Sequence, residues 1–349
     1  MKRIDNIMPT DKAAQAAAHD RWSSIAKPLG SLGLLETAIE KISAIQGTEN
    51  ADISKRSVVV MCADNGVVCE GVTQSDSSVT AICANAIANG TSNINALADT
   101  FGAEVLAVDI GVKSNLNNPK ILDRKIAFGT KNIAEGAAMT NEQAERAICV
   151  GMDIVRDLKN SGTKMIVTGE MGIGNTTVSS ALSAVLLDLP PCQVTGRGAG
   201  LDSERLKKKI SVIERAIFVN KPDKNKPVEL LSKLGSFDIA GMIGLFLGGA
   251  YYHIPVVIDG VISAAAAVLA CKINPLATEY MFPSHISAEP SGKMLLESIG
   301  LKPLITAEMR LGEGTGGVML LPLLDGALAV YNNAHRFDDI LLERYKELK

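Results

Sequence analysis

Five short apolar runs, separated by longer segments with helical spacing, constrain the fold of this chain more than any other feature. Each run is mainly apolar and gives way at its carboxyl end to polar or small residues. Strands that alternate with helices indicate a parallel β-sheet covered by helices on both faces. The predicted strands are residues 57–63, 103–108, 165–167, 254–258 and 278–282.

Most segments between these strands have apolar residues at helical spacing, which predicts helices there. Residues 112–135 are polar and are expected to form an irregular surface excursion. Apolar residues make up 47% of the chain but aromatic residues only 4%, which favours helices of small side chains packed closely on a sheet. Helices are expected over residues 79–98, 141–160, 238–250 and 318–332.

Charge and hydropathy exclude two classes of partner. A formal net charge of −3 provides no basic surface for nucleic acid. The most hydrophobic stretch, residues 239–270, is interrupted by His253, Pro255 and Asp259. Because a membrane helix needs about 20 continuous apolar residues, this stretch predicts a helix, a strand and a helix instead.

The six cysteines are scattered and form no Cys-x-x-Cys pair. None has a histidine nearby at metal-ligand spacing, which argues against zinc and against a disulfide framework. The first residues contain no apolar signal stretch. We therefore expect a cytoplasmic protein with reduced, mostly buried thiols and with no metal or cofactor.

Polar side chains follow the predicted strands where each one ends. Ligands of open parallel sheets bind beyond the carboxyl ends of the strands, so these side chains predict one cleft. Each of them can equally cap the helix that follows. They are Asp64, Asp109, Glu170, Asp259, and Ser284 with His285, the only histidine that we place near a ligand.

A glycine-rich turn follows the third predicted strand. Residues 169–174 contain three glycines, and a small-residue helix begins near Asn175 or Thr176. Unpaired amides at a helix N-terminus can receive a phosphate, and glycine lets the backbone approach a ligand. The turn is neither a P-loop nor a strict dinucleotide fingerprint. The other interpretation is a tight turn in which Asn175 or Thr176 only caps the helix.

Glu313 lies between two glycines in the segment 312–316. A carboxylate with no bulky neighbours can project into a cleft and act as a general base. The other interpretation is a glycine turn with a solvated carboxylate.

Six motifs, taken together, resemble the nicotinate-nucleotide:dimethylbenzimidazole phosphoribosyltransferase family. The resemblance implies a large Rossmann-like domain, a three-layer parallel α/β fold, over residues 56–332. It implies a smaller helical domain built from residues 1–55 and 333–349, and a homodimer. The motifs are residues 27–33, 63–67, 169–177, 196–200, 284–289 and 312–316, and the likeness extends from about residue 20 to about residue 332.

The resemblance implies transfer of the 5-phosphoribosyl group from nicotinate mononucleotide to 5,6-dimethylbenzimidazole or a related base. The products are nicotinate and α-ribazole 5′-phosphate, a precursor of the lower ligand of cobalamin. The donor's ring nitrogen is already quaternary, so nicotinate can leave without an acid or a metal. The acceptor must lose its ring proton, and the resemblance assigns that task to Glu313.

The resemblance also implies the residues that bind the two substrates. The family's glutamine in the acceptor pocket is replaced here by Cys83, so the missing amide leaves purines, other benzimidazoles and phenols open as acceptors. The implied acceptor residues are Ser75, Cys83, Met171 and Leu311. The implied nucleotide and phosphate residues are Glu170, Gly172, Gly174, Asn175, Thr176, Lys209, Ser287, Gly314, Thr315 and Gly316.

Two other functions could use the same glycine-rich turn. An NAD-dependent dehydrogenase needs a strand-end acid about 20 residues beyond the glycine-rich turn, and Asp188 lies in an apolar helix instead. A non-catalytic nucleotide-binding regulator would use the same turn without releasing nicotinate.

Overall fold

The computed structural model describes residues 3–346, and a parallel sheet forms its centre. Within these residues the sheet has six strands in the order β3-β2-β1-β4-β5-β6, and every neighbouring pair is parallel. This order is typical of the Rossmann fold and confirms the predicted fold class. The strands are β1 (Arg56–Ala63), β2 (Ala103–Gly111), β3 (Leu122–Asp123), β4 (Met165–Met171), β5 (Val256–Ile258) and β6 (Met281–Pro283).

Helices cover the sheet on both faces. The α-helices are α1 (Lys12–Ser24), α2 (Leu34–Gln46), α3 (Ser78–Asn89), α4 (Asn93–Thr100), α5 (Asn141–Asn160), α6 (Asn175–Leu187), α7 (Pro191–Val194), α8 (Ser203–Asn220), α9 (Pro227–Leu234), α10 (Phe237–Tyr252), α11 (Val261–Ile273), α12 (Ser291–Ser298) and α13 (Thr315–Asn333). Short 3-10 helices occupy Ile4–Asn6, Gly66–Glu70, Pro275–Tyr280 and Asp338–Ile340.

Three local predictions were wrong in detail. The predicted strand 278–282 begins as a 3-10 helix, because Asn274 caps the amide of Leu276, and only Met281–Pro283 is strand. The predicted helix 79–98 is interrupted at Gly90, whose φ of 79° ends α3, before a Ser92 capping box begins α4. The predicted irregular excursion 112–135 contains the short strand β3.

Small residues bring α5 and α10 into close contact on one face of the sheet. A Cβ atom added at Gly151 would lie 2.1 Å from the carbonyl oxygen of Gly241. A Cβ added at Gly244 would lie 2.1 Å from the carbonyl oxygen of Ile148. The two backbones therefore touch.

The two ends of the chain pack together. The Trp22 and Tyr331 rings have centroids 4.8 Å apart, and the amide of Phe337 donates to the carbonyl of Ser24 at 2.9 Å. The bounds of a separate helical domain stay a prediction, and residues 1–2 and 347–349 lie outside the described residues. No helix within residues 3–346 is long and apolar enough to cross a membrane.

The cysteines differ from the prediction in their burial. All six are free thiols, but only Cys62 and Cys271 are buried. Cys69 and Cys192 are exposed, so the expectation of mostly buried thiols was wrong.

Candidate active site

A cavity of about 220 Å³ lies beyond the carboxyl ends of β4 and β5. Strand order reverses between β1 and β4, and ligands of this fold bind at such a point. The wall is formed by residues 72–75, 170–176, 197–199, 259–263 and 309–312, with Leu201, Lys209, His285, Ser287, Glu289 and Thr315.

Most of the residues implied by the resemblance meet at this cavity. Those in its wall are Ser75, Glu170, Met171, Gly172, Gly174, Asn175, Thr176, Lys209, Ser287, Leu311 and Thr315. Four others lie outside the wall: Cys83, Glu313, Gly314 and Gly316. What each residue binds stays a prediction.

The glycine-rich turn after β4 is fixed by close packing. A Cβ at Gly172 would lie 2.3 Å from the carbonyl oxygen of Ala63, and one at Gly169 would lie 2.6 Å from that of Glu313. Gly174 has a φ of 94°, which favours glycine, and α6 begins at the next residue. The turn therefore holds the ends of β1 and β4 against the Glu313 segment.

A buried amide links two buried carboxyl groups beside this turn. Asn175 Nδ2 donates to Asp238 Oδ2 at 3.0 Å and also to Glu170 Oε2. Burial, with the nearby Asp238 and Asp259, raises the pKa of Glu170 to about 8. Glu170 therefore holds a proton at neutral pH and can donate as well as accept a hydrogen bond.

Lys209 supplies a buried cation in the cavity wall. Its side chain is almost completely buried, with 1% of the residue exposed. Its ammonium donates to Thr176 Oγ1 at 3.0 Å and to the Gly196 carbonyl at 3.3 Å. Burial lowers its pKa to about 8, although Glu289 opposes this. Because no ion pair within residues 3–346 neutralises this ammonium, an anion fits beside it.

Asp259 caps the beginning of α13. Its carboxylate accepts hydrogen bonds from the amides of Gly314 at 3.3 Å and Gly317 at 2.9 Å. Burial raises its pKa, and His285 opposes that shift. The Gly314 amide is thus already paired, so this geometry does not favour its predicted contact with phosphate.

The remaining strand-end side chains serve the fold. Asp64 accepts the amide of Lys113 at 2.7 Å. Asp109 forms a 2.9 Å ion pair with Lys125. Ser284 donates to the carbonyl of Ile258 at 2.7 Å. The predicted convergence on one cleft is therefore confirmed only for Glu170, Asp259 and His285, which line the cavity.

Glu313 is buried behind the cavity wall. It is 6% exposed, with a φ of 61°. Its Oε2 accepts the amide of Ile94 at 3.3 Å, and Ser92 also hydrogen-bonds the carboxylate. Burial raises its pKa against these hydrogen bonds. The carboxylate is therefore not solvated, and it points to the N-terminus of α4 while its neighbours Gly312 and Thr315 line the cavity.

Comparisons with known proteins agree on one family. The family model described as Phosphoribosyltransferase matches residues 7–340. The nicotinate-nucleotide–dimethylbenzimidazole phosphoribosyltransferase of Acetivibrio thermocellus is 46% identical over 326 residues, covering 93% of each chain. That of Clostridium acetobutylicum is 42% identical over 346 residues, covering 99% of this chain and 98% of the other.

A solved structure gives the same result. The crystal structure of CobT from Thermus thermophilus matches with a TM-score of 0.90 at 36% identity, covering 95% of this chain and 100% of that one. The likeness therefore extends over nearly the whole fold. The chain belongs to the family of nicotinate-nucleotide–dimethylbenzimidazole phosphoribosyltransferases.

Proposed function

We propose that the protein transfers the 5-phosphoribosyl group of nicotinate mononucleotide to 5,6-dimethylbenzimidazole. The products are α-ribazole 5′-phosphate and nicotinate. The observation that carries this proposal is one cavity that has the buried ammonium of Lys209 in its wall and an apolar part containing Met171 and Leu311. A phosphate fits the first feature and an aromatic base fits the second. The names of the relatives support the same reaction.

The donor phosphate binds beside Lys209, Thr176 and Ser287 in this proposal. All three residues line the cavity, and Lys209 already donates to Thr176. The ribose lies toward Glu170, whose proton at neutral pH removes one negative charge from the site. A neutral carboxyl group can hydrogen-bond a ribose hydroxyl without repelling the phosphate.

The acceptor base binds against the apolar wall. Met171, Ile173 and Leu311 line this part of the cavity, and the hydroxyl-bearing Ser75 lies in the loop that closes it. Leu311 is 53% exposed, so a planar base that covers it gains hydrophobic contact. Cys83 stands half-buried near Glu313, outside the wall.

Glu313 acts as the general base. The acceptor nitrogen attacks C1′ of the ribose as the bond from C1′ to the nicotinate nitrogen breaks, and that electron pair leaves with nicotinate. Glu313 takes the proton from the other ring nitrogen of the acceptor. Its raised pKa strengthens it as a base. The carboxylate must turn from the Ile94 amide toward the cavity, and the 3.3 Å hydrogen bond that it gives up is long.

We also propose that the protein works as a cytoplasmic homodimer. The resemblance supports the dimer, and the six free thiols fit a reducing compartment. Sedimentation of the purified protein tests the dimer directly: a single species of about twice the mass of one chain supports it, and a monomer contradicts it.

Mass analysis of the products tests the proposed reaction. The purified protein is incubated with nicotinate mononucleotide and, separately, with 5,6-dimethylbenzimidazole, adenine and a phenol. We expect nicotinate release and a ribosylated benzimidazole. A product only from adenine or the phenol would move the function to those acceptors. Binding of the nucleotide with no nicotinate release from any mixture would identify a regulator instead.

A further inference from the structure

Three cationic side chains line the cavity, and they differ in what already holds them. Lys209 is buried and donates to Thr176 and Gly196. The guanidinium of Arg197 donates to the carbonyl of Leu201 at 2.7 Å and to Ser203 Oγ at 3.1 Å. Arg310 is exposed, and no group within residues 3–346 pairs with its guanidinium. Of the three, Arg310 is thus the cation whose hydrogen-bond donors are all available to a ligand.

The backbone fixes the place of Arg310 on the cavity rim. The amide of Ala288 donates to the carbonyl of Met309 at 3.0 Å, and that of Ile286 donates to Ile305 at 2.9 Å. These bonds tie the segment before Arg310 to the segment that carries Ser287. The backbone at Arg310 is therefore held beside the segment that carries Ser287.

The surroundings of Arg310 suit an aromatic ring that carries a carboxylate. Its neighbour Met309 lines the cavity and is apolar. The cavity wall otherwise contains the carboxyl groups of Glu170, Asp259 and Glu289, which repel a ligand carboxylate wherever they are ionised. An arginine next to an apolar wall offers the ring a surface and its carboxylate a bidentate partner.

We propose that Arg310 binds the carboxylate of the nicotinate ring and sets the preference for a nicotinate over a nicotinamide nucleotide. This assignment rests on the proposed function, because it takes the donor from there. A guanidinium pairs with a carboxylate through two charge-assisted hydrogen bonds, whereas a neutral carboxamide offers it one uncharged oxygen. Lys209 holds the phosphate that both nucleotides share, so it contributes nothing to this preference.

Equilibrium binding of nicotinate mononucleotide and nicotinamide mononucleotide, measured by calorimetry, tests the proposal. In Arg310→Met we expect the dissociation constant of the nicotinate nucleotide to rise about tenfold. We expect that of the nicotinamide nucleotide to change less than about twofold, since it lacks the ring carboxylate. Arg310→Lys keeps the charge without the bidentate geometry. We expect its dissociation constant for the nicotinate nucleotide to lie between those of the wild type and of Arg310→Met.

Arg205→Met is the matched control. Arg205 is an exposed arginine that pairs with Asp202 at 3.9 Å and lies outside the cavity wall. Its loss is expected to change neither dissociation constant. Equal weakening of both nucleotides in Arg310→Met, or no change in either, would overturn the assignment of Arg310.

The transfer assay separates this proposal from the function on which it rests. If the wild type binds the nicotinate nucleotide more tightly and Arg310→Met removes this preference, but no transfer occurs, the proposed reaction is refuted and the assignment of Arg310 is supported. A protein that transfers normally with Arg310→Met unchanged in binding refutes the assignment alone. A wild-type protein that binds neither nucleotide refutes both.

Discussion

Glu313 Oε2 accepts a hydrogen bond from the backbone amide of Ile94, 219 positions away in the chain, at 3.3 Å. That amide belongs to the first turn of α4, where peptide dipoles and free amides favour a negative charge. Burial acts in the opposite direction and raises the pKa of Glu313. Neutral donors therefore hold this carboxyl group, and among residues 3–346 it has no ion pair with a cation that would lower its pKa and weaken it as a base.

Lys209 is expected to control donor affinity. Lys209→Met removes the buried ammonium, so we expect the dissociation constant of nicotinate mononucleotide to rise by about 10- to 100-fold. Calorimetric titration measures this change. The neighbouring Lys208→Met is the control, because Lys208 is exposed and lies outside the cavity wall. Equal effects of the two substitutions would contradict a phosphate site at Lys209.

Glu170 is expected to make stability depend on pH. Glutamate in an unfolded chain titrates near 4.5, whereas burial raises the pKa of folded Glu170 to about 8. Between these values the folded protein holds the extra proton, so this group's contribution to the free energy of unfolding falls as pH rises.

Urea unfolding of the wild type and of Glu170→Gln at pH 5, 6.5 and 8 tests this dependence. The glutamine is neutral at every pH and keeps the shape of the side chain. We expect the wild type to lose stability relative to the variant from pH 5 to pH 8. A constant difference across the series would show that Glu170 is not protonated in the folded state.

Asp259 is expected to stabilise the start of α13. An asparagine can no longer accept both amides as a carboxylate does, so Asp259→Asn should cost about 1–3 kcal/mol of unfolding free energy. We also expect slower transfer, because the capped turn carries Glu313. Thermal unfolding and the transfer assay measure the two effects.

The control on the same helix is Asp325→Asn. Asp325 is partly exposed, with 46% of its side chain accessible, and pairs with Arg56. The Arg56 side chain is 9% exposed, but it keeps its hydrogen bonds to the carbonyls of Ile53 and Phe101 and can still donate to asparagine, so we expect a change of about 1 kcal/mol or less. If Asp259→Asn were no more costly than this control, Asp259 would not be the cap that the geometry indicates.

Two glycine substitutions, one in the contact between α5 and α10 and one in α13, are expected to have opposite effects on stability. In Gly244→Ala the new methyl group meets the backbone of Ile148, so we expect a loss of about 1–3 kcal/mol. Gly326 lies inside α13 with no heavy atom within 4 Å, so Gly326→Ala should gain about 0.5–1 kcal/mol. Denaturant unfolding measures both. A stable Gly244→Ala protein would mean that the two helices can separate at little cost.

Local sequence signals predicted the fold well where they were strong. Residues 141–160 form a helix with the predicted bounds, and a capping box between Thr140 and Gln143 begins it. The long apolar run of β1 was equally clear. The two-residue strand β3 has no such signal in its own sequence, because it is a strand only through its pairing with β2.

The candidate site was harder to predict because its contacts are distant in sequence. The glycine-rich turn was visible in the sequence, yet nothing near Glu313 indicates that Ile94 is its partner. The sequence does not single out Asp238, because it lies in an apolar helix, although it hydrogen-bonds Asn175. The sequence does not single out Arg310 either, because exposed arginines are common. It becomes distinctive only in the structure, where it lies on the cavity rim without a partner among residues 3–346.

The single-turnover transfer rate of Glu313→Gln, measured with bound nicotinate mononucleotide and 5,6-dimethylbenzimidazole, tests the central claim most directly. Glutamine can still accept the Ile94 amide, so the fold and the donor affinity should be kept. We predict a rate lower than that of the wild type by about 100- to 10,000-fold, because the acceptor proton has no base to receive it. A rate within about threefold of the wild type would show that Glu313 only caps α4.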